Sequence, residues 1–122
     1  MVNLSRPRKK DNSRYKKGMW AENVTKMYLR LKGYKIVEHR YKTPAGEIDI
    51  LARKGINFVV VEVKYRKNMD TALYSITDRQ KQRLMSAGAW VMSSHGAINI
   101  RFDAVLISPS GIKHIENAFG QD

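Results

Sequence analysis

The chain has 122 residues, no cysteine, and 23 Lys and Arg against 11 Asp and Glu, for a formal net charge of +12. This length fits one domain, and 43% hydrophobic residues suffice for a core without disulfides or thiolate metal sites. His39, His95 and His114 are too scattered for a His-based zinc site, and no apolar run approaches the roughly 18 residues of a membrane span, so a soluble protein is expected.

The charge divides in two. Residues 1–17 hold seven basic side chains and one acid, a net +6, and the other 105 residues carry 16 and 10, again +6. The first segment has Ser5, Pro7, Asn12 and Ser13 but no apolar stretch, so it lacks the core of a secretory signal and cannot pack on itself. It reads as a disordered basic arm that engages nucleic-acid phosphates; the plainer alternative is a solubilising terminus or an organellar presequence. Residues 18–122 form the single domain.

Trp20, Val24, Met27, Tyr28 and Leu31 fall on one helical face and Gly33 is a stop signal, which predicts an amphipathic helix over 19–32. Residues 34–42 read as a strand ending in the turn cluster Thr43-Pro44-Ala45-Gly46. A second strand spans 47–53, and after residues 54–57 the β-branched run Phe58 to Tyr65 should be a central strand. Residues 68–75 look like a loop. A second helix begins near Thr77, with Gln80, Leu84, Ala87, Gly88 and Val91 in one sheet-facing stripe, and Ser94-His95-Gly96 ends it. Alternating Ile98, Ile100, Phe102, Ala104 and Leu106 make a further strand, and residues 112–115 a short last one. The order αβββαββ is an α/β fold with one mixed sheet flanked by helices.

The hairpin over 46–66 has a readable register. A turn at Lys54 to Asn57 sets Asp49 opposite Glu62 and Glu47 opposite Lys64, with Lys64 on the same face as Glu62. Ile48, Ile50, Ala52, Val59, Val61 and Val63 occupy the other face as core. Two facing carboxylates repel unless a cation or a proton lies between them. Beside a lysine, such a pair suits a Mg²⁺-dependent phosphodiester hydrolase, since hard oxygens hold Mg²⁺ while it keeps waters and accepts phosphate oxygens. The competing arrangement is a solvated face on which Glu47 pairs with Lys64.

Gly46-Glu47-Ile48-Asp49-Ile50, followed by Val60-Val61-Glu62-Val63-Lys64-Tyr65-Arg66, resembles the YraN family, bacterial proteins related to Holliday-junction resolvases and the PD-(D/E)XK nuclease superfamily. The similarity runs over about residues 18–119 and includes Gly33-Tyr34, Arg101-Phe102-Asp103-Ala104-Val105 and Asn117-Ala118-Phe119. It implies a restriction-endonuclease-like sheet. It also implies that Asp49 and Glu62 are the metal-binding acids, with the Val63 carbonyl as a further ligand and Lys64 as the motif lysine. Glu22 matches an assisting acid of the first helix, although its helical position lies nearly opposite the Trp20 to Leu31 face and favours solvent. Gln80 matches a polar residue that positions water or phosphate, while Thr77-Asp78-Arg79-Gln80 equally fits a helix capping box. Many family members have a lysine at the position of Gln80 with a glutamine beside it, whereas here Gln80 precedes Lys81, and Thr25 replaces a usual alanine.

Arg40, Lys42, Arg66, Lys67, Arg79, Lys81 and Arg83 flank this site in sequence and could track a phosphate backbone. Arg101 and Asp103 read as a structural ion pair. The expectation is a cytoplasmic bacterial Mg²⁺-dependent endonuclease or nuclease-like protein, with Mn²⁺ as substitute, acting on DNA, with branched or damaged duplexes as candidate substrates. Junction cleavage would need two sites and hence a homodimer. The alternatives are a non-catalytic nucleic-acid-binding module on the same fold and an RNA- or ribosome-associated basic protein, since no base-reading motif separates DNA from RNA.

Overall fold

Three hydrophobic runs that the sequence leaves far apart are brought together around strand β3 (Asn57–Tyr65). The computed structural model describes residues 5–119. In chain order the other elements are α1 (Ser5–Leu31), β1 (Lys35–Thr43), β2 (Gly46–Lys54), α2 (Met69–Leu73), α3 (Asp78–His95), β4 (Asn99–Ser108) and β5 (Gly111–Ile115). The sheet order is β1-β2-β3-β4-β5. All neighbours are antiparallel except β3 and β4, which run parallel and are joined by a crossover through α2 and α3, as a parallel pair requires. The mixed α/β architecture is the one expected.

Helices cover both faces. Ala21 and Leu29 of α1 pack with Ile50, Ala52, Val59, Val61, Val105 and Ile107. Leu84, Ala87 and Val91 of α3 pack on the other face with Ile48, Leu51, Val60 and Phe102. Val59, Val60 and Val61 are consecutive and all buried, which a strand achieves only when both of its faces are covered. Each such side chain contributes about 1.5–3 kcal/mol by burial. Gly88 sets the closeness of the α3 layer, because a Cβ there would meet Phe102 Cζ at 2.6 Å.

Four expectations are corrected. First, α1 starts at Ser5 rather than near residue 19, so residues 5–17, read as a disordered arm, are helical. Lys and Arg are good helix formers, extension from a packed helix is cheap, and Pro7 falls in the first turn, where it is tolerated. Residues 1–4 and the side chains before Ser13 lie outside the described residues. Second, the buried face of α1 is rotated from the predicted stripe, of which Val24 and Tyr28 still pack on the core. Trp20 is 53% and Leu31 86% exposed, whereas Ala21, Glu22, Thr25 and Leu29 are buried. Thr25 Oγ1 donates to the Ala21 carbonyl at 2.8 Å, so a threonine fits in the alanine's place without an unpaired hydroxyl. Third, Ile48 packs in the α3 cluster and not beside Ile50. Fourth, the loop over 68–75 contains α2, whose N-terminus Asn68 caps by accepting from the Asp70 N–H.

No helix among the described residues is long and apolar enough to cross a membrane.

Candidate metal and phosphate site

The ladder between β2 and β3 follows the expected register from Lys54↔Asn57 to Ile50↔Val61, and there it stops. Beyond that point Asp49 replaces the missing backbone acceptor: its Oδ2 accepts from the Val63 N–H at 2.9 Å. Asp49 therefore reaches diagonally toward Val63 while Glu62 lies beside it. The N–H and C=O of one strand residue point to the same neighbouring strand, so the Val63 carbonyl is also on the β2 side. On its outer edge β2 continues to pair with β1, where Lys42 is opposite Glu47. The expected pairing of Glu47 with Lys64 is not formed. Lys64 Nζ instead lies 3.2 Å from Glu62 Oε2.

This fork isolates two acids. Glu62 is 8% exposed. Burial pushes the Asp49 carboxyl up to about 8, the adjacent Glu62 charge adds to that, and the Val63 N–H bond only partly opposes it. Two carboxyls this close favour sharing a proton or a cation.

The acids open into a cavity of about 160 Å³ lined by Glu47, Asp49, Glu62, Gln80, Arg83 and Leu84. Arg83 reaches it by lying across the β1–β2 turn, where a Cβ on Gly46 would meet Arg83 Cγ at 2.7 Å. Gln80 also forms the capping box: Thr77 N–H donates to Gln80 Oε1 at 3.0 Å, and Gln80 N–H donates to Thr77 Oγ1 at 3.1 Å. The capping-box reading of Gln80 holds, and the cap fixes its side chain at the cavity rim.

Glu22 does not line this cavity. It is 7% exposed, against the expectation of a solvent position, and Oε1 accepts from His39 Nε2 at 2.7 Å and Arg40 Nε at 2.9 Å. Lys26 Nζ donates to His39 Nδ1 at 3.1 Å. His39 and Arg40 are consecutive, yet both reach α1, because Arg40 adopts a left-handed φ of 53°. The helix face carried no sign of this, since the partners of Glu22 lie on another element. Glu22 acts on the site through its negative charge, which helps to raise Asp49.

The basic residues separate likewise. Arg83 joins the acids. Arg40 is committed to Glu22 and stacks on Tyr15, and Lys81 lines a different cavity with Tyr74 and Phe119. Lys42, Lys67 and Arg79 are exposed. Arg66 Nη1 donates to the Tyr65 carbonyl beside Lys64. Arg101 and Asp103 form the expected structural pair, bidentate at 2.8 Å.

The donor chemistry fits a hard divalent cation held by few protein oxygens. Asp49 and Glu62 supply carboxylates, and no group of three or more His, Cys, Asp or Glu suited to a metal occurs among the described residues. Mg²⁺ is the ion that tolerates such a sparse set, because it keeps water and takes phosphate oxygens.

The sequence profile described as "Uncharacterised protein family UPF0102" matches residues 21–107, a span that contains the fork, both acids and Lys64. The chain belongs to the UPF0102 family. A UPF0102 protein of Rhodopseudomonas palustris strain BisB18 is 44% identical over 109 residues, covering 86% of this chain and 81% of its own length. One from strain HaA2 is 43% identical over 109 residues, covering 86% and 85%. One from Bradyrhizobium diazoefficiens is 42% identical over 109 residues, covering 86% and 82%. The YraN resemblance read from the motifs is this same family.

Proposed function

We propose that this UPF0102 protein is a Mg²⁺-dependent endonuclease that hydrolyses phosphodiester bonds in DNA, branched DNA included. The observation that carries the reading is the convergence of Asp49 and Glu62 at the end of the β2–β3 ladder, with the Asp49 carboxyl raised by burial and by its neighbour. Stability alone gives no reason to keep two acids together there, where only a shared proton or a cation relieves their repulsion. Asp49 and Glu62 would hold the ion, with the Val63 carbonyl as a third oxygen. When bound, Mg²⁺ would polarise the phosphate and acidify a water. Lys64, held 3.2 Å from Glu62, stands ready to orient a water or to stabilise charge that develops on the phosphate. Gln80 and Arg83 at the cavity rim offer an amide and a guanidinium to phosphate oxygens. Mn²⁺ should substitute for Mg²⁺.

The test is nicking of branched and linear DNA with Mg²⁺ or Mn²⁺. Wild type should cut, and Asp49→Ala and Lys64→Ala should each lower the rate about 100-fold or more. Equal rates in all three would dismiss the mechanism.

One observation favours a second reading, a binding module without hydrolysis: only two acids meet, and Glu62 is already ion-paired with Lys64. That reading requires Asp49→Ala to leave salt-sensitive binding intact or to strengthen it by removing negative charge, with no cutting by wild type.

A further inference from the structure

A second cleft, walled by α1 and the end of β3, is lined by Lys64, the ion-pair partner of Glu62, and has the opposite charge to the acid site. Its volume is about 480 Å³, and its walls include Arg14, Lys17 and Gly18 from α1, Lys64 and Tyr65 from the end of β3, and Arg66 just beyond it. Four of these six residues are cations and none is an acid. Like charges gathered in one concavity repel, and an anion bound there relieves the repulsion. The volume lies in the range of pockets that take an organic ligand. It admits a nucleotide or two of one strand.

The cleft also has an aromatic mouth. Trp20 is 53% exposed and meets Tyr65 edge to face, with ring centroids 5.9 Å apart and planes at 83°. An edge-to-face contact leaves most of the stacking surface of such a pair uncovered. Lys17 Nζ lies 5.8 Å from the Tyr65 ring centroid. Cations that track a backbone beside a flat, uncovered ring are the combination by which proteins hold unpaired strands, because every base has a π-face. The stripe that includes Trp20 looked like core in the sequence, and its exposure calls for another role.

We propose that this cleft is a single-strand grip: Arg14, Lys17 and Arg66 hold consecutive phosphates of an unpaired polynucleotide strand, and a base stacks on Trp20. The inference rests on the nucleic-acid reading above and deepens it by naming the strand state. Because Lys64 lines the cleft and is paired with Glu62, a strand held here passes beside the acids. The preferred substrate is then DNA with an unpaired segment next to the bond to be cut.

The test uses the full chain carrying Asp49→Ala, without metal, so that hydrolysis plays no part. Anisotropy of a labelled 12-nucleotide single strand is compared with that of a blunt duplex at the same salt. The single strand should bind at least about 10-fold tighter. Trp20→Ala should weaken single-strand binding by about 5- to 100-fold and leave the duplex unchanged, and Trp20→Phe should restore most of the loss. Lys17→Glu should flatten the salt dependence of single-strand binding. Equal affinity for the two substrates, or a single-strand affinity indifferent to Trp20→Ala, would overturn the grip and leave the nucleic-acid reading standing. If neither substrate binds at low salt, the nucleic-acid reading itself fails.

Discussion

Asp103 is buried and Asp49 half-buried, and their surroundings push them in opposite directions. Asp103 is 0% exposed. Burial alone would raise its carboxyl, but His114 Nε2 donates to it at 2.7 Å, Arg101 grips it with two bonds and the Asn117 N–H adds another at 3.0 Å, so it is held below the ordinary range. Asp49 has the same chemistry with one N–H bond, from Val63, and a second acid beside it. Desolvation is compensated by donors in one place and left open in the other. A carboxylate saturated by its own fold holds structure together, while one left short of donors is prepared for something from outside. Glu22 has a similar set of partners: His39 and Arg40 bond to it, with Lys26 on the far side of His39, as His114 and Arg101 bond to Asp103, with Lys32 on the far side of His114.

The largest effect should come from breaking the saturated site. Asp103→Ala leaves Arg101 and buried His114 without their partner and should cost about 3–5 kcal/mol, read as a lower denaturation midpoint in urea. A loss under 1 kcal/mol would remove Asp103 from the structural class. Overpacking the α3 layer comes next. Gly88→Ala places a methyl group 2.6 Å from Phe102 and should cost about 1–3 kcal/mol, and because α3 carries Gln80 and Arg83, it should lower activity as well.

Asp49→Asn should move stability the other way, by about 1–3 kcal/mol in favour of the metal-free mutant at pH 8. Ordinary aspartate ionises near pH 4, and folded Asp49 near 8. Between these values the unfolded chain has released its proton and the folded one has not, so wild type loses stability as pH rises from about 4 to 8. The midpoint difference between mutant and wild type should therefore grow across this window and level off above it. Asp103, depressed when folded, should instead lose its contribution as pH falls below about 4. A flat difference for Asp49→Asn from pH 5 to 8 would refute the contrast between the two aspartates. The smallest effect expected is that of Thr77→Ala, about 1 kcal/mol from the lost cap, with added freedom of Gln80 visible as broadened side-chain amide resonances.

Whatever depended on local chemistry could be read from the sequence. The Lys54–Asn57 turn fixed the hairpin register, and Thr77 and Gly96 marked the ends of α3. What stayed hidden depended on partners distant in the chain. Glu22 and Thr25 made the true inner face of α1 look polar, because their donors and acceptors lie on β1 or one helical turn away. Trp20, Met27 and Leu31 made the outer face look apolar. Helix α2, with five residues, is shorter than any periodicity can register. The approach of the two acids was expected from counting residues, but the end of the ladder was not, since a side chain that substitutes for a backbone acceptor leaves no compositional trace.

That ladder end also has a mechanical side. Beyond Ile50 the β1–β2 hairpin is bonded along one edge only, and Arg83 rests across its tip at Gly46. The projecting hairpin is thus a cantilever whose fulcrum is the bond from Val63 to Asp49. Weight placed on its tip, by a bound strand or by a shift of Arg83, would bear first on the residue that faces Glu62.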